Sequence, residues 1–177
     1  MVDLNKLLKC KGGRSATIIR RGEARFKIVF QPTQIVSTIL GAIKHESTEM
    51  VVGCVAWLSH PRILEALAKK PCAIVVTRDK SNLKKNVRKM YSKLRPCVAN
   101  EKVAVRFLGQ SRGQYRTRMH HKFMVGLKNG EPRWVITGSF NFSSHACKNL
   151  ENTMLIQDPE IAAAFKYEWE RIWNAIT

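Results

Sequence analysis

The chain has 177 residues, enough for one domain whose hydrophobic core needs no disulfide or metal to hold it together. Its 31 Lys and Arg against 13 Asp and Glu leave a formal charge of +18, a field that gathers polyanions such as nucleic acid or an acidic membrane surface. No apolar run approaches the ~20 residues of a membrane-spanning helix, and Met1–Lys6 lacks the basic-then-apolar order of a secretory signal. The five cysteines include no C-x-x-C pair, so neither a zinc site nor a disulfide framework is expected, and the expected setting is the reducing cytoplasm.

Residues 1–14 read as a basic N-terminal arm, with Gly12-Gly13 inside it. Ala16–Arg20 and Ala24–Phe30 are β-rich runs around a Gly22 turn. Gln31-Pro32-Thr33 opens a helix with Thr33 as the expected N-cap, and Val36, Ile39, Leu40 and Ile43 recur at the spacing of one buried face. Met50–Leu58 is a near-continuous apolar strand, Ser59–Ala68 a helix with Pro61 in its first turn, and Cys72–Thr77 a second buried strand. Strand, helix, strand in that order is a βαβ unit, which implies parallel pairing and helices covering the sheet.

Residues 78–95 carry eight Lys and Arg and one acid. Leu83, Val87, Met90 (or Tyr91) and Leu94 recur there at about helical spacing, which predicts a basic amphipathic helix. Its charge density marks Lys84, Lys85, Arg88 and Lys89 as candidate phosphate contacts. After a strand at Val103–Leu108, the polar loop Gly109–Arg118 offers Arg112, Arg116 and Arg118 to phosphates and Tyr115 for stacking on a base. Met119–Leu127 and Trp134–Thr137 are strands joined around Asn129-Gly130, a strong hairpin dipeptide. Asn152–Ile156 is the last strand. Asp158-Pro159-Glu160 then starts a helix with Ile161, Phe165, Trp169, Ile172 and Trp173 on one face. With no internal repeat or low-complexity linker, residues 15–177 form one compact α/β domain.

The residues able to do chemistry gather in the last third. His120-His121-Lys122 opens an apolar strand, Gly138-Ser139-Phe140-Asn141 follows a second, and Glu151 precedes a third. Paired strands bring their ends together, so residues distant in sequence can share one site. Histidine serves as nucleophile or general acid near neutral pH. Lysine, a serine hydroxyl and an asparagine amide can stabilise charge on a phosphoryl group in transfer, and a carboxylate can hold an imidazole in its working tautomer. No carboxylate cluster or Cys/His array suited to a metal accompanies them.

His120-x-Lys122 followed by Gly138-Ser-x-Asn141 resembles the H-x-K-x₄-D…G-S-x-N signature of the phospholipase D superfamily. The likeness runs from about Phe30 to Asn174 and points to the short, single-motif bacterial endonucleases of that superfamily. It includes Gln31–Leu67, Gly138-Ser-Phe-Asn-Phe-Ser, Asn149-Leu-Glu151-Asn152 and the closing helix Phe165–Asn174. The resemblance implies a mixed β-sheet flanked by helices on both faces. It implies that His120 attacks phosphorus to form a phosphohistidine, that Lys122, Ser139 and Asn141 hold the phosphate, and that Glu151 orients His120. It implies a homodimer in which the second histidine protonates the leaving oxygen and then activates water, with no metal or cofactor. One position departs, since Leu127 stands where the family has its aspartate, the residue that bears on how Lys122 is supported. His121 is expected on the opposite face of its strand, and His45, His60 and His145 match nothing in the motif.

Three functions follow. The first is a metal-independent endonuclease on nucleic acid, DNA rather than RNA, working as a homodimer. The second is a phosphodiesterase of anionic phospholipid such as cardiolipin, for which an apolar anchor or an amphipathic helix with exposed aromatics is missing. The third is a non-catalytic nucleic-acid-binding protein, with Leu127 as its one argument.

Overall fold

A computed structural model describes residues 17–109 and 118–176, so the N-terminal arm and Arg112, Tyr115 and Arg116 lie outside the described residues. The chain opens with the hairpin β1 (Thr17–Arg21) and β2 (Ala24–Val29), turning through Gly22 at φ +56°. Helix α1 (Pro32–Lys44) leads to β3 (Met50–Val55), α2 (Pro61–Leu67) and β4 (Pro71–Thr77), and β3 and β4 pair in parallel as a βαβ unit must. Next come α3 (Lys85–Tyr91), β5 (Arg95–Pro96) and β6 (Val105–Leu108). The hairpin β7 (Lys122–Lys128) and β8 (Glu131–Gly138) precedes β9 (Thr153–Gln157) and the closing helix α4 (Pro159–Asn174).

Among the described residues these strands make one mixed sheet in the order β1-β2-β9-β8-β7-β3-β4, with β5 and β6 sharing the outer edge of β4. The β3 to β6 half is parallel, and the remaining pairings are antiparallel. Alternation along each strand splits the core in two. Val51, Val55, Ile74 and Val76 face α1, α2 and α3, while Val52, Cys54, Ala73 and Val75 face Trp169, Ile172 and Trp173 of α4. Helices therefore cover both faces. Burial pushes the Cys54 and Cys72 thiols up to about 12, so both stay protonated and pack as small hydrophobes.

Several expected elements prove shorter or differently capped. Gln31, not Thr33, is the N-cap of α1, because Pro32 takes the first helical position and leaves Thr33 inside the first turn. The strand expected over Met50–Leu58 ends at Val55, and Leu58 instead makes a parallel bridge to Phe142. The basic helix expected over 78–95 is only the two turns of α3. Its entry is taken by an Asp79 turn, whose Oδ1 accepts from the Ser81 and Asn82 amides at 2.9 and 3.1 Å, and Leu83 is left exposed. The Asn129-Gly130 turn, at φ +54° and +78°, and the Asp158 cap, accepting from Ile161 N at 2.8 Å, form where expected.

Helix α4 is held at its far end by one side chain from β6. Arg106 donates to Trp173 O at 2.8 Å and Ile176 O at 2.7 Å, pairs with Glu101, and lies 4.5 Å from the Trp173 ring centroid. Removing it takes a donor from both carbonyls, leaving Trp173 O its backbone partner Ile176 N at 3.3 Å, and uncovers a ring face at the same time. Arg106→Ala is expected to lower unfolding free energy by about 1–3 kcal/mol in urea titration. Arg171→Ala, on the exposed outer face of the same helix, should leave the midpoint in place.

Candidate active site

His120 is positioned by the strand ends on its inner side. The carbonyl before it, Met119 O, accepts from Thr77 Oγ1 at 2.5 Å, and the carbonyl after it, His121 O, accepts from Ala56 N at 2.8 Å. The backbone is thereby pinned to the ends of β4 and β3 while the imidazole stays exposed. The ring packs edge-on against Trp57, with centroids 5.2 Å apart. The Trp57 indole N–H is in turn taken by the Asp79 carboxylate.

Lys122 stands two residues on, on the same strand face. Its Nζ lies 3.1 Å from His120 Nδ1, 3.3 Å from Nε2 and 2.8 Å from His120 O, and 5.9 Å from the centroid of the Trp57 ring. Partial burial, then the charges of Lys122, Arg118 and His121, hold the His120 pKa below its ordinary value. Burial likewise lowers the Lys122 pKa, and the nearby Glu151 carboxylate pulls it back upward. Both shifts run downward, so the imidazole is harder to protonate than that of a free histidine.

Ser139, Asn141 and Glu151 arrive from the adjoining strands. Phe123 pairs with Thr137, and Gly138 with Thr153, so the start of β7, the end of β8 and the start of β9 meet at one sheet end. Gly138 makes the approach possible. Its φ is +152°, and a Cβ there would fall 2.4 Å from Asn152 O. The close crossing lets Ser139 N donate to Asn152 O at 3.1 Å, while Asn152 N donates to Ser139 Oγ at 3.0 Å. Ser139 Oγ donates to Glu151, whose other oxygen accepts from Asn149 Nδ2 at 3.4 Å. Glu151 thus spends its hydrogen bonds on Ser139 and Asn149. Its expected bond to the His120 imidazole is not formed among the described residues. Asn141 is half-buried nearby, its Oδ1 enclosed and without a partner.

His121 faces away, as alternation requires, with Nε2 3.3 Å from Glu168 of α4 and its ring edge-on to Phe123. Leu127 is 2 % exposed and packs in the α4-side core, on the face opposite Lys122 and five residues along the strand, about 17 Å at the usual rise. The departure from the family's aspartate is absorbed by apolar packing far from the imidazole. Trp57 matches no motif, and its one signal in the sequence is an aromatic just past the end of a buried strand. A cavity of about 540 Å³ adjoins the site, and Trp57, Lys84, Asn86, Asn141, Ser144 and His145 are among its lining residues. Lys84 thus faces this cavity, Lys85, Arg88 and Lys89 are exposed along α3, and Arg118 is exposed beside His120. No group of three His, Cys, Asp or Glu side chains able to share a metal ion occurs among the described residues. No described helix is long and apolar enough to cross a membrane.

The profile of the family described as "Cardiolipin synthase, PLD-like domain" matches residues 39–173. The chain is 28 % identical to human mitochondrial cardiolipin hydrolase, over 88 % of this chain and 69 % of that protein. It is 41 % identical to the mouse mitochondrial cardiolipin hydrolase over 57 residues, 24 % of that protein's length. Among solved structures it resembles Nuc of Salmonella typhimurium, a phospholipase D family member (TM-score 0.65, 24 % identity, 86 % of this chain and 95 % of that one). It also resembles NucT of Helicobacter pylori (TM-score 0.69, 18 % identity, 86 % and 97 %).

The electrostatic arrangement has a direct readout. In an NMR titration, the His120 ring should have its midpoint below the ~6.5 of a free histidine, and Lys122→Met should move it upward by removing the adjacent positive charge. A midpoint unmoved by that substitution would show that the ammonium does not act on the ring.

Proposed function

Because this chain belongs to the phospholipase D superfamily of phosphodiesterases, we propose that it hydrolyses nucleic acid, DNA before RNA, through a phosphohistidine on His120. The observation that carries the reading is Lys122 Nζ lying against both ring nitrogens of a histidine that no carboxylate among the described residues contacts. Before substrate binds, Lys122 rests against the imidazole ring. A phosphodiester oxygen drawn to the lysine brings phosphorus beside the ring, and the unprotonated ring nitrogen attacks it.

In this scheme the N–P bond forms as the bond to the leaving oxygen breaks. Lys122 and the Asn141 amide stabilise the charge spread over the phosphoryl oxygens, joined by the Ser139 hydroxyl once substrate turns its one proton away from Glu151. Glu151 acts as a positioning residue, aligning Ser139 and balancing the Lys122 charge. The leaving oxygen needs a proton, and none of the other described histidines shares the His120–Lys122 cluster. A two-fold dimer supplies one, since an isologous contact brings a residue near the axis against its own copy. The partner subunit's His120, protonated, gives its proton to the leaving oxygen. Now neutral, it takes a proton from water, whose hydroxide attacks phosphorus and releases the first histidine.

The substrate assignment rests on charge. A body carrying +18, with Lys84, Lys85, Arg88 and Lys89 exposed along one short helix, suits a polyanion with many phosphates. The relatives named for cardiolipin hydrolysis favour a second reading, the same chemistry on an anionic phospholipid. The unpaired cysteines among the described residues support a reducing compartment, the cytoplasm.

Incubation with plasmid, single-stranded DNA, RNA and cardiolipin liposomes in excess EDTA separates these readings. Cleavage of nucleic acid in chelator is expected, together with loss of cleavage but near-normal binding in His120→Ala. Turnover of liposomes alone would transfer the assignment to lipid, and activity regained only with added Mg²⁺ would overturn the histidine mechanism.

The dimer has its own signature. Wild-type and His120→Ala subunits, unfolded together and refolded, should give activity that falls as the square of the wild-type fraction, with exchange verified by tagging. A linear fall would mean that each subunit works alone.

A further inference from the structure

We infer that the cavity beside His120 is a subsite for one unstacked nucleobase next to the scissile phosphate, which makes single-stranded nucleic acid the preferred substrate. The inference rests on the nucleic-acid reading above and adds to it a strand preference and the residues that enforce it. Two side chains belong to both the reacting centre and the cavity. Trp57 packs its ring against His120 and also lines the cavity, and Asn141, assigned to the phosphate, forms part of the same wall. A phosphodiester seated on Lys122 and Asn141 therefore carries the group on one side of it into this space.

Pro61, Val87 and Ala146 give the cavity an apolar wall, and the polar side chains and indole set around it suit the face and edge of a base. Its volume, about 540 Å³, falls within the range of pockets that enclose small organic molecules. Trp57 offers a flat indole fixed by its bond to Asp79, and such a ring is a sequence-tolerant stacking platform. Asn86, Ser144 and His145 place amide, hydroxyl and imidazole groups where a base edge can hydrogen-bond, and Lys84 stands by for the next phosphate. No carboxylate among the described residues lines the cavity. A paired base would have to leave its duplex to enter, at a cost a single strand largely avoids.

The test uses the full chain carrying His120→Ala, so that ligands bind without being cut. Fluorescence anisotropy compares three probes of equal length: a single-stranded oligonucleotide, its abasic sugar-phosphate counterpart, and the duplex. The base-bearing single strand should bind about tenfold more tightly than the abasic one, and more tightly than the duplex. Ser144→Trp, which fills the cavity from an exposed position, should erase that advantage and leave abasic binding unchanged. Asn86→Trp serves in its place if the first variant does not fold. Equal binding of the base-bearing and abasic probes, or a base advantage that survives the filled cavity, overturns the subsite alone. Failure of every probe to bind overturns the nucleic-acid reading itself.

Discussion

Asn82 ties together the part of the molecule on which the candidate site is built. It is fully buried, and its Nδ2 donates to Ala56 O and Thr77 O, both at 2.7 Å. Its Oδ1 accepts from Leu58 N at 3.2 Å. Those partners terminate β3, terminate β4, and begin the turn into α2. Tyr91 of α3 adds a hydroxyl bond to Leu58 O at 2.6 Å. Ala56 and Thr77 are also the residues that grip the carbonyls on either side of His120. One carboxamide thus sets where two parallel strands stop, and their ends set where the histidine sits. A buried polar group with its hydrogen-bonding capacity filled is rigid in a way an apolar side chain is not, because every displacement strands a donor or an acceptor.

Around that anchor, charge is layered by distance. Close in, burial and Lys122 lower the pKa of His120, while Glu151 offsets part of the downward pull of burial on Lys122. Farther out, Lys85, Arg88 and Lys89 stand exposed along α3 and contribute a diffuse positive field. Salt screens the exposed outer charges more strongly than the close contact between Lys122 and His120.

Much of this was legible in the residues. Alternating or continuous apolar runs marked the strands, Asn129-Gly130 marked the hairpin, and Asp158-Pro159 marked the closing helix, since each depends on local backbone preferences. His120, Lys122, Ser139, Asn141 and Glu151 were traceable because their spacing follows motif and strand ends. Trp57, Asp79 and Asn82 were not, because their roles arise from contacts between segments some twenty residues apart. Helix α3 is shorter than its apolar period for a related reason. Leu83 keeps the helical period, yet the Asp79 side chain captures the backbone amides that a longer helix would have needed. Glu151 was placed near the site, but the choice between Ser139 and His120 as its partner is decided by the backbone crossing at Gly138.

The pairing of β2 with β9 joins residues 24–29 to residues 153–157, nearly the two ends of the described chain. A ribosome therefore releases the first hairpin long before the strand that will dock against it exists. Until then β2 has an unmatched edge, and the Gly138-Ser139 crossing has no Asn152 to close upon. Order of synthesis is thus order of assembly: the crossing of Gly138 and Ser139 with Asn152 closes only after the β9 segment emerges, which makes the candidate site one of the later parts of the described fold to form.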